Sequence, residues 1–244
     1  VQKGLRGLKY LMNEPGDSSL GDIQSALGYN GSTVHHILKT LIQEGFVSQH
    51  INTKKYDLGP ELFHFCLQNT LPQKFYQKAY PYLEECVAQT GETTNLFIRA
   101  EEEAVCVAGA ESPQTLKAFL MIGRRIPLTC TAAGKVFLAF MEGAKSEEIV
   151  RRVGLKQYLP NTITDSGGLA AELARVKQLG YAVEREEYEE MITAIAAPVF
   201  QKQGGLIAVV SNISPSMRTD EPKIIHSLCQ AAYKISRALE EVYY

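Results

Sequence analysis

Apolar positions recur with a helical period three times along the first sixty residues, and the pattern then switches to short alternating runs. Leu5, Leu8, Leu11 and Met12 fall on one face of a first helix, closed by turn residues at 13–17. A second, shorter helix opens at Ser19, three residues before Asp22 in a capping-box arrangement. It carries Ile23, Ala26 and Leu27 and stops at Gly28. In the third, Val34, Ile37, Leu38, Leu41 and Ile42 form the clearest amphipathic stripe of the chain, ending at Gly45. Residues 46–51 and 55–58 read as two strands around Asn52, Thr53 and Lys54. Helix, helix, turn, helix, hairpin is the order of a winged helix-turn-helix, expected here over residues 1–60.

A helical stretch over 61–72 reads as a linker, ended by the polar Gln68, Asn69 and Thr70 and by Pro72. Residues 73–244 have the pattern of a second domain. Helices are expected over 75–89, 132–141, 146–153, 169–179 and 222–243, and strands over 95–99, 104–108, 116–122, 192–200 and 206–213. Strands joined by hairpins and interrupted by helices predict an α+β fold, an antiparallel sheet covered by helices.

Charge adds a constraint on partners. The chain has 25 Lys+Arg against 27 Asp+Glu, a formal −2 with pI near 6.3, so the total announces neither nucleic acid nor a membrane surface. Divided along the chain, residues 1–60 carry six basic and five acidic side chains, and the excess of acid lies in the rest. A basic stripe is therefore thin in one copy. DNA binding would have to draw on two copies and on backbone N–H groups at helix N-termini. The five cysteines, Cys66, Cys86, Cys106, Cys130 and Cys229, are unevenly spaced and follow no signal-peptide pattern, as expected of reduced, mostly buried thiols in a cytoplasmic protein. The densest apolar run, 192–200, is broken by Thr193 and Pro198, so no membrane span is expected.

The third helix presents Ser32, Thr33, His35, His36, Lys39, Thr40 and Gln43 away from its apolar stripe. Short hydroxyls and imidazoles on such a helix reach base edges and phosphates in a major groove, although a solvated polar face gives the same pattern. The following hairpin, with Lys54 and Lys55 where a wing would touch phosphate, favours DNA. Enzyme signatures fail in turn. Residues 131–135 resemble the end of a P-loop, but Thr129 stands where its first glycine belongs and Val136 follows the lysine. The acidic run 184–190 reads as a solvated rim rather than a metal site, and no Cys-x-x-Cys, His-x-x-x-His or Gly-x-Ser-x-Gly occurs. No catalytic residue, metal or cofactor is expected. Ala132, Ala133 and Gly134 would expose backbone N–H groups at a helix start, a site for a carboxylate, and Ser211, Asn212 and Ser214 end an apolar strand. Ordinary capping and strand-end polarity produce the same residues.

An ordered set of motifs resembles the IclR-type bacterial transcriptional regulators over nearly the whole chain. It comprises Ser32-Thr33-Val34-His35; Glu44-Gly45-Phe46-Val47 leading to Tyr56-Asp57-Leu58-Gly59-Pro60; and Pro127-Leu128 with Thr131-Ala132-Ala133-Gly134-Lys135. Further along stand Thr162-Ile163-Thr164-Asp165, Gly180-Tyr181-Ala182-Val183 with Glu186-Glu187-Tyr188-Glu189, and Ile195-Ala196-Ala197-Pro198-Val199-Phe200. The resemblance implies a winged helix-turn-helix, a linker helix used in dimerisation, and a GAF-like C-terminal domain that senses a small organic acid or aromatic metabolite. By position, residues 32–39 would form the groove helix and Lys54 and Lys55 the wing. The effector pocket would be built around Ala132, Ala133, Glu184, Ala194, Ser211 and Ser214, with Met121 and Leu128 as apolar wall. Gly31 and His36 replace basic residues common in the family, and Met191 and Ala194 replace a glycine and a cysteine. The expected partners are double-stranded operator DNA, a small effector, in all expectation a carboxylate, and further copies of the chain as a homodimer or dimer of dimers. The competing class is a small-molecule enzyme or non-DNA sensor whose N-terminal unit makes protein contacts.

Overall fold

A computed structural model describes residues 1–14, 16–62, 64 and 70–239, and the chain divides into two units, Val1–Gln73 and Lys74–Tyr244. Half of the expected linker helix over 61–72, residues 63 and 65–69 with Cys66 among them, falls outside the described residues.

In the first unit the three amphipathic patterns form α1 (Gln2–Asn13), α2 (Leu20–Leu27) and α3 (Gly31–Gln43). Ser19 caps α2 in a reciprocal box. Its hydroxyl accepts from the Asp22 N–H at 3.2 Å and its own N–H donates to the Asp22 carboxylate at 2.9 Å. Asn30 caps α3 by accepting from the Thr33 N–H at 2.9 Å. Leu11, Ile23, Val34, Leu38, Val47 and Tyr56 form the core. Leu5 and Met12, expected on the buried face of α1, are 55% and 58% exposed, because α1 meets α3 along Gly7 and Leu11 instead. β1 (Val47–Gln49) and β2 (Tyr56–Leu58) pair antiparallel as the wing, and a backbone bridge from Ser18 to Tyr56 ties the wing to the segment before α2.

The second unit is a six-stranded sheet between two helical layers. Its strands are β3 (Thr93–Ala100), β4 (Glu103–Ala110), β5 (Arg125–Pro127), β6 (Ala182–Arg185), β7 (Ile192–Phe200) and β8 (Leu206–Pro215), in the spatial order β5-β4-β3-β8-β7-β6, all antiparallel. α4 (Thr70–Thr90) and α8 (Glu221–Leu239) cover one face, and α5 (Ala132–Phe140), α6 (Gly143–Val153) and α7 (Ser166–Leu179) lie on the other. Along β7 the alternation is complete: Ile195, Ala197 and Val199 enter the α4/α8 core, while Ala194 and Ala196 face α5. Both faces are covered, so apolar residues stand on both sides of the strand, with Thr193 its one polar residue.

Three expectations need correction. Helix α4 is described from Thr70 through Pro72 to Thr90, where a helix was expected only over 75–89. Residues 116–122 form no strand. They pass extended without a ladder partner, held where the Thr93 hydroxyl donates to the Ala118 carbonyl at 2.7 Å, and the edge strand is Arg125–Pro127. Strand β6 was not anticipated, being only four residues long. A bulge in the β3–β4 pairing, where Val107 has no partner between Cys106 and Ala108, turns β4 over: Ala104 and Cys106 face α5, but Ala108 and Ala110 face α4 and α8.

Candidate functional site

The exposed side of α3 carries Ser32, His35, His36 and Lys39 in solvent, with Thr33 half-buried beside its cap. The Thr40 hydroxyl turns back to the His36 carbonyl at 3.0 Å, which removes it from that face. Lys54 sits exposed at the wing tip in the left-handed region, φ 59°, with its carbonyl accepting from the Gln49 side chain at 2.9 Å. Lys55 differs. Its ammonium pairs with Asp17 at 3.3 Å, so part of its charge is already answered within the fold. At the turn before α3, Tyr29 is held by Arg6 at 3.3 Å through its hydroxyl and lies under the Lys3 ammonium at 5.2 Å. Two of the few cations of this unit therefore position the turn that precedes α3.

In the second unit a cavity of about 270 Å³ opens on the sheet face covered by α5. Among the expected effector residues, Ala132, Ala133, Glu184, Ala194 and Ser211 line it. Three do not. Met121 points outward and is 63% exposed, Leu128 is buried with its backbone under α5, and the Ser214 hydroxyl pairs with Thr219 at 2.8 Å. Met191 also faces solvent, 71% exposed on a left-handed backbone, so it does not narrow the cavity. Most of the wall comes from residues that no motif singled out, among them Phe97, Ala118, Phe119, Leu120, Ile192 and Ile213. They come from separate strands and from the extended segment, and no local spacing connects them.

Helix α5 is positioned by close backbone contact. A Cβ on Gly134 would stand 2.4 Å from the Leu128 backbone, so only glycine allows this approach. Thr131 caps the helix, its hydroxyl accepting from the Gly134 N–H at 3.1 Å and donating to the Pro127 carbonyl at 2.6 Å. The first-turn N–H groups of Ala132 and Ala133 have no acceptor within the helix, and both residues line the cavity. That end of the cavity attracts an anion or a carbonyl oxygen.

The acidic run 184–190 is not the solvated rim its composition suggested. Glu184 and Glu187 are 3% and 7% exposed, while Glu190 is in solvent. Glu184, next to last in β6, accepts from the N–H groups of Glu187 at 2.6 Å and Tyr188 at 3.3 Å, closing the turn in which Glu186 is left-handed. Burial, reinforced by the neighbouring Glu187 charge, pushes the Glu184 carboxyl up to about 7. Lys135, the P-loop-like lysine, is buried and bonded to Glu187, with Glu172 at 3.8 Å, so it has no phosphate-binding geometry. Burial also pushes the Cys130 thiol up to about 12, which leaves no thiolate nucleophile there at neutral pH. Among the described residues no group of His, Cys, Asp or Glu is arranged to hold a metal, and no helix is long and apolar enough to cross a membrane.

A winged helix-turn-helix followed by a cavity-bearing, helix-covered antiparallel sheet narrows the relatives, and comparison decides among them. The family model described as bacterial transcriptional regulator IclR C-terminal matches residues 71–239, and the model for the IclR helix-turn-helix domain matches residues 1–50. The chain belongs to the IclR family. It is 31% identical to the HTH-type transcriptional regulator XynR of Escherichia coli (strain K12), over 98% of this chain and 96% of that relative. An IclR transcriptional regulator from Alicyclobacillus acidocaldarius, 30% identical, matches over 97% of each chain with a TM-score of 0.85. An IclR homolog from Microbacterium hydrocarbonoxydans, solved in complex with 4-hydroxybenzoate, shares the fold at 23% identity, with a TM-score of 0.86 over 98% of each chain. This IclR-family chain is thus a transcriptional regulator with a helix-turn-helix DNA-binding domain and a C-terminal ligand-binding domain, and the relatives named here are regulators rather than enzymes.

Proposed function

We propose that two copies of this regulator place their α3 helices in successive major grooves of an approximately palindromic operator, and that a small organic acid or aromatic metabolite in the C-terminal cavity changes that spacing. Ser32, Thr33, His35, His36 and Lys39 are the groove-facing set, and Lys54 and Lys55 carry the wing to phosphate. A cytoplasmic homodimer or dimer of dimers is the working form.

The observation that carries the effector assignment is the cavity itself, with the start of α5 opening into it at Ala132 and Ala133. A carboxylate seated there meets N–H groups at a helix N-terminus, while Phe97, Phe119 and Ile213 supply apolar wall for an aliphatic or aromatic body. The ligand complex of the Microbacterium homolog supports an aromatic acid as the first compound to try. Binding moves the DNA-bound population only by its differential affinity for the two spacings.

The test uses the full chain and its own upstream DNA. Affinity should fall steeply between about 50 and 200 mM salt, as expected when phosphate contacts supply much of the binding. Ala132→Leu and Ser211→Ala should each weaken the response to effector while DNA affinity is retained. Salt-independent binding would overturn the DNA assignment, and an undiminished response in both variants would overturn the cavity.

A further inference from the structure

The sheet face that floors the cavity holds one polar side chain whose hydrogen bonding is incomplete. Asn95, in β3, is 1% exposed. Its register partner on β8 is Ser211, and the regular β3–β8 pairing puts Phe97 and Ile213 on the same face. All three neighbours line the cavity. Across the other edge, Gly109 of β4 is its register partner, and a Cβ there would stand 2.6 Å from the Asn95 Oδ1. Glycine at that position, on the cavity side of the bulge, leaves the space the amide occupies.

The Asn95 Oδ1 receives only the weak thiol of Cys106 at 3.9 Å, and its Nδ2 has no acceptor among the described residues. Whichever way the amide is turned, one of its ends is unanswered. Asn212, one position along β8, is a useful contrast. It lies on the opposite face, and its Nδ2 reaches Thr94 at 3.1 Å and the Glu92 carbonyl at 3.3 Å, tying the start of β3 to its neighbour. The Asn212 amide donor is used within the fold, leaving only its Oδ1 unanswered, whereas the Asn95 donor has no acceptor among the described residues. A buried amide donor is costly unless something accepts from it. Asn95 itself lies just behind the cavity wall, and its neighbours Phe97, Ser211 and Ile213 on the same face line the cavity.

We infer that Asn95 is an effector-binding residue, its amide N–H donating to a carbonyl, carboxylate or hydroxyl oxygen of the bound effector next to the Ser211 hydroxyl. The inference rests on the cavity being the effector site. It also fixes polarity along the ligand. Asn95 and Glu184 are three strands apart across the sheet and two residues apart along it, roughly 16 Å at the usual strand spacings. An effector spanning that floor presents an oxygen acceptor to Asn95 and Ser211, an apolar body to Phe97 and Ile213, and a polar group at the Glu184 end.

Two measurements on the full chain test this. A crystal structure at high resolution, without added ligand, should show the Asn95 amide bonded to a water or captured molecule in space continuous with Ser211. An amide satisfied at both ends by protein atoms and sealed from the cavity overturns the inference. Titration calorimetry with 4-hydroxybenzoate should then show Asn95→Ala weakening binding about fivefold to tenfold, the loss of one hydrogen bond, with DNA affinity and melting temperature close to wild type. Equal affinity in Asn95→Ala, with Ala132→Leu impaired, overturns the role of Asn95 alone. Undiminished affinity in Ala132→Leu as well overturns the cavity reading beneath it. Should 4-hydroxybenzoate not bind the wild-type chain, or Asn95→Ala not fold, the crystallographic result decides.

Discussion

Lys135 and Glu187 bond to each other in the interior of the C-terminal unit, the lysine 1% and the glutamate 7% exposed, on elements separated by more than forty residues of chain. The pair joins α5 to the turn after β6, so it fixes the cavity's helix against the segment that carries Glu184 and Tyr188. Removing one partner leaves a buried charge without its counterion. Lys135→Met should therefore lower the unfolding free energy by about 3 kcal/mol or more, and Lys135→Met combined with Glu187→Leu should recover much of it. Urea denaturation of the two variants checks this, and equal loss in both would show that the pair is not the coupling element.

Glu184 gives the stability a pH dependence of defined sign. Its folded-state carboxyl titrates near 7, raised mainly by burial, against about 4.5 in the unfolded chain. Between those values the folded state holds a proton that the unfolded state has released, so this group makes stability fall as pH rises, by up to about 1.4 kcal/mol per pH unit. Below 4.5 it contributes nothing, and above 7 its penalty is complete. Glu184→Gln keeps an oxygen for the Glu187 and Tyr188 N–H groups and should flatten the profile between pH 5 and 7. A slope unchanged by the substitution would assign it to other groups.

Gly134 tests how tightly the cavity wall is built. A Cβ at 2.4 Å from the Leu128 backbone has no flexible neighbour to displace, so Gly134→Ala should cost about 2–3 kcal/mol or more and shift the α5 N-terminus. Calorimetric unfolding reports the loss, which should exceed that of Gly143→Ala, where nothing lies within 4 Å.

The two wing lysines should separate in a salt titration of DNA binding. Lys54→Ala should reduce the slope of log affinity against log salt by about 1, as expected for one lost phosphate contact. Lys55, already paired with Asp17 at 3.3 Å, should change it less, and Asp17→Asn should strengthen binding by freeing it. The reverse order would mean that Lys55 leaves Asp17 on the operator.

Local sequence was enough for most of the first unit, though not for Leu5 and Met12, which spacing places on the buried face of α1 and which are exposed. The capping box at Ser19, the stripe from Val34 to Ile42 and the Lys-bearing turn each concern residues a few positions apart, and there spacing alone sets which face is buried. It was also enough for the alternating strand β7 and for the exposed N–H groups at the start of α5. Residues 116–122 show where it stops. Their alternation matches a strand, but a strand exists only when a neighbour offers a ladder, and here the ladder was taken by Arg125–Pro127.

The same limit governs the cavity. The sequence by itself determined the two-part organisation, the helix start at Ala132 and the polar end of the strand at Ser211, while Glu184 was pointed to only by the family resemblance; both residues line the cavity. Only the tertiary structure decided that Glu184 and Glu187 are buried, that Lys135 faces Glu187, that Met191 and Met121 point away, and that Asn95 lies beside Ser211 with an unanswered amide. Burial and pairing between residues a hundred positions apart depend on strand order and on a single bulge in β4, and no short window of sequence encodes either.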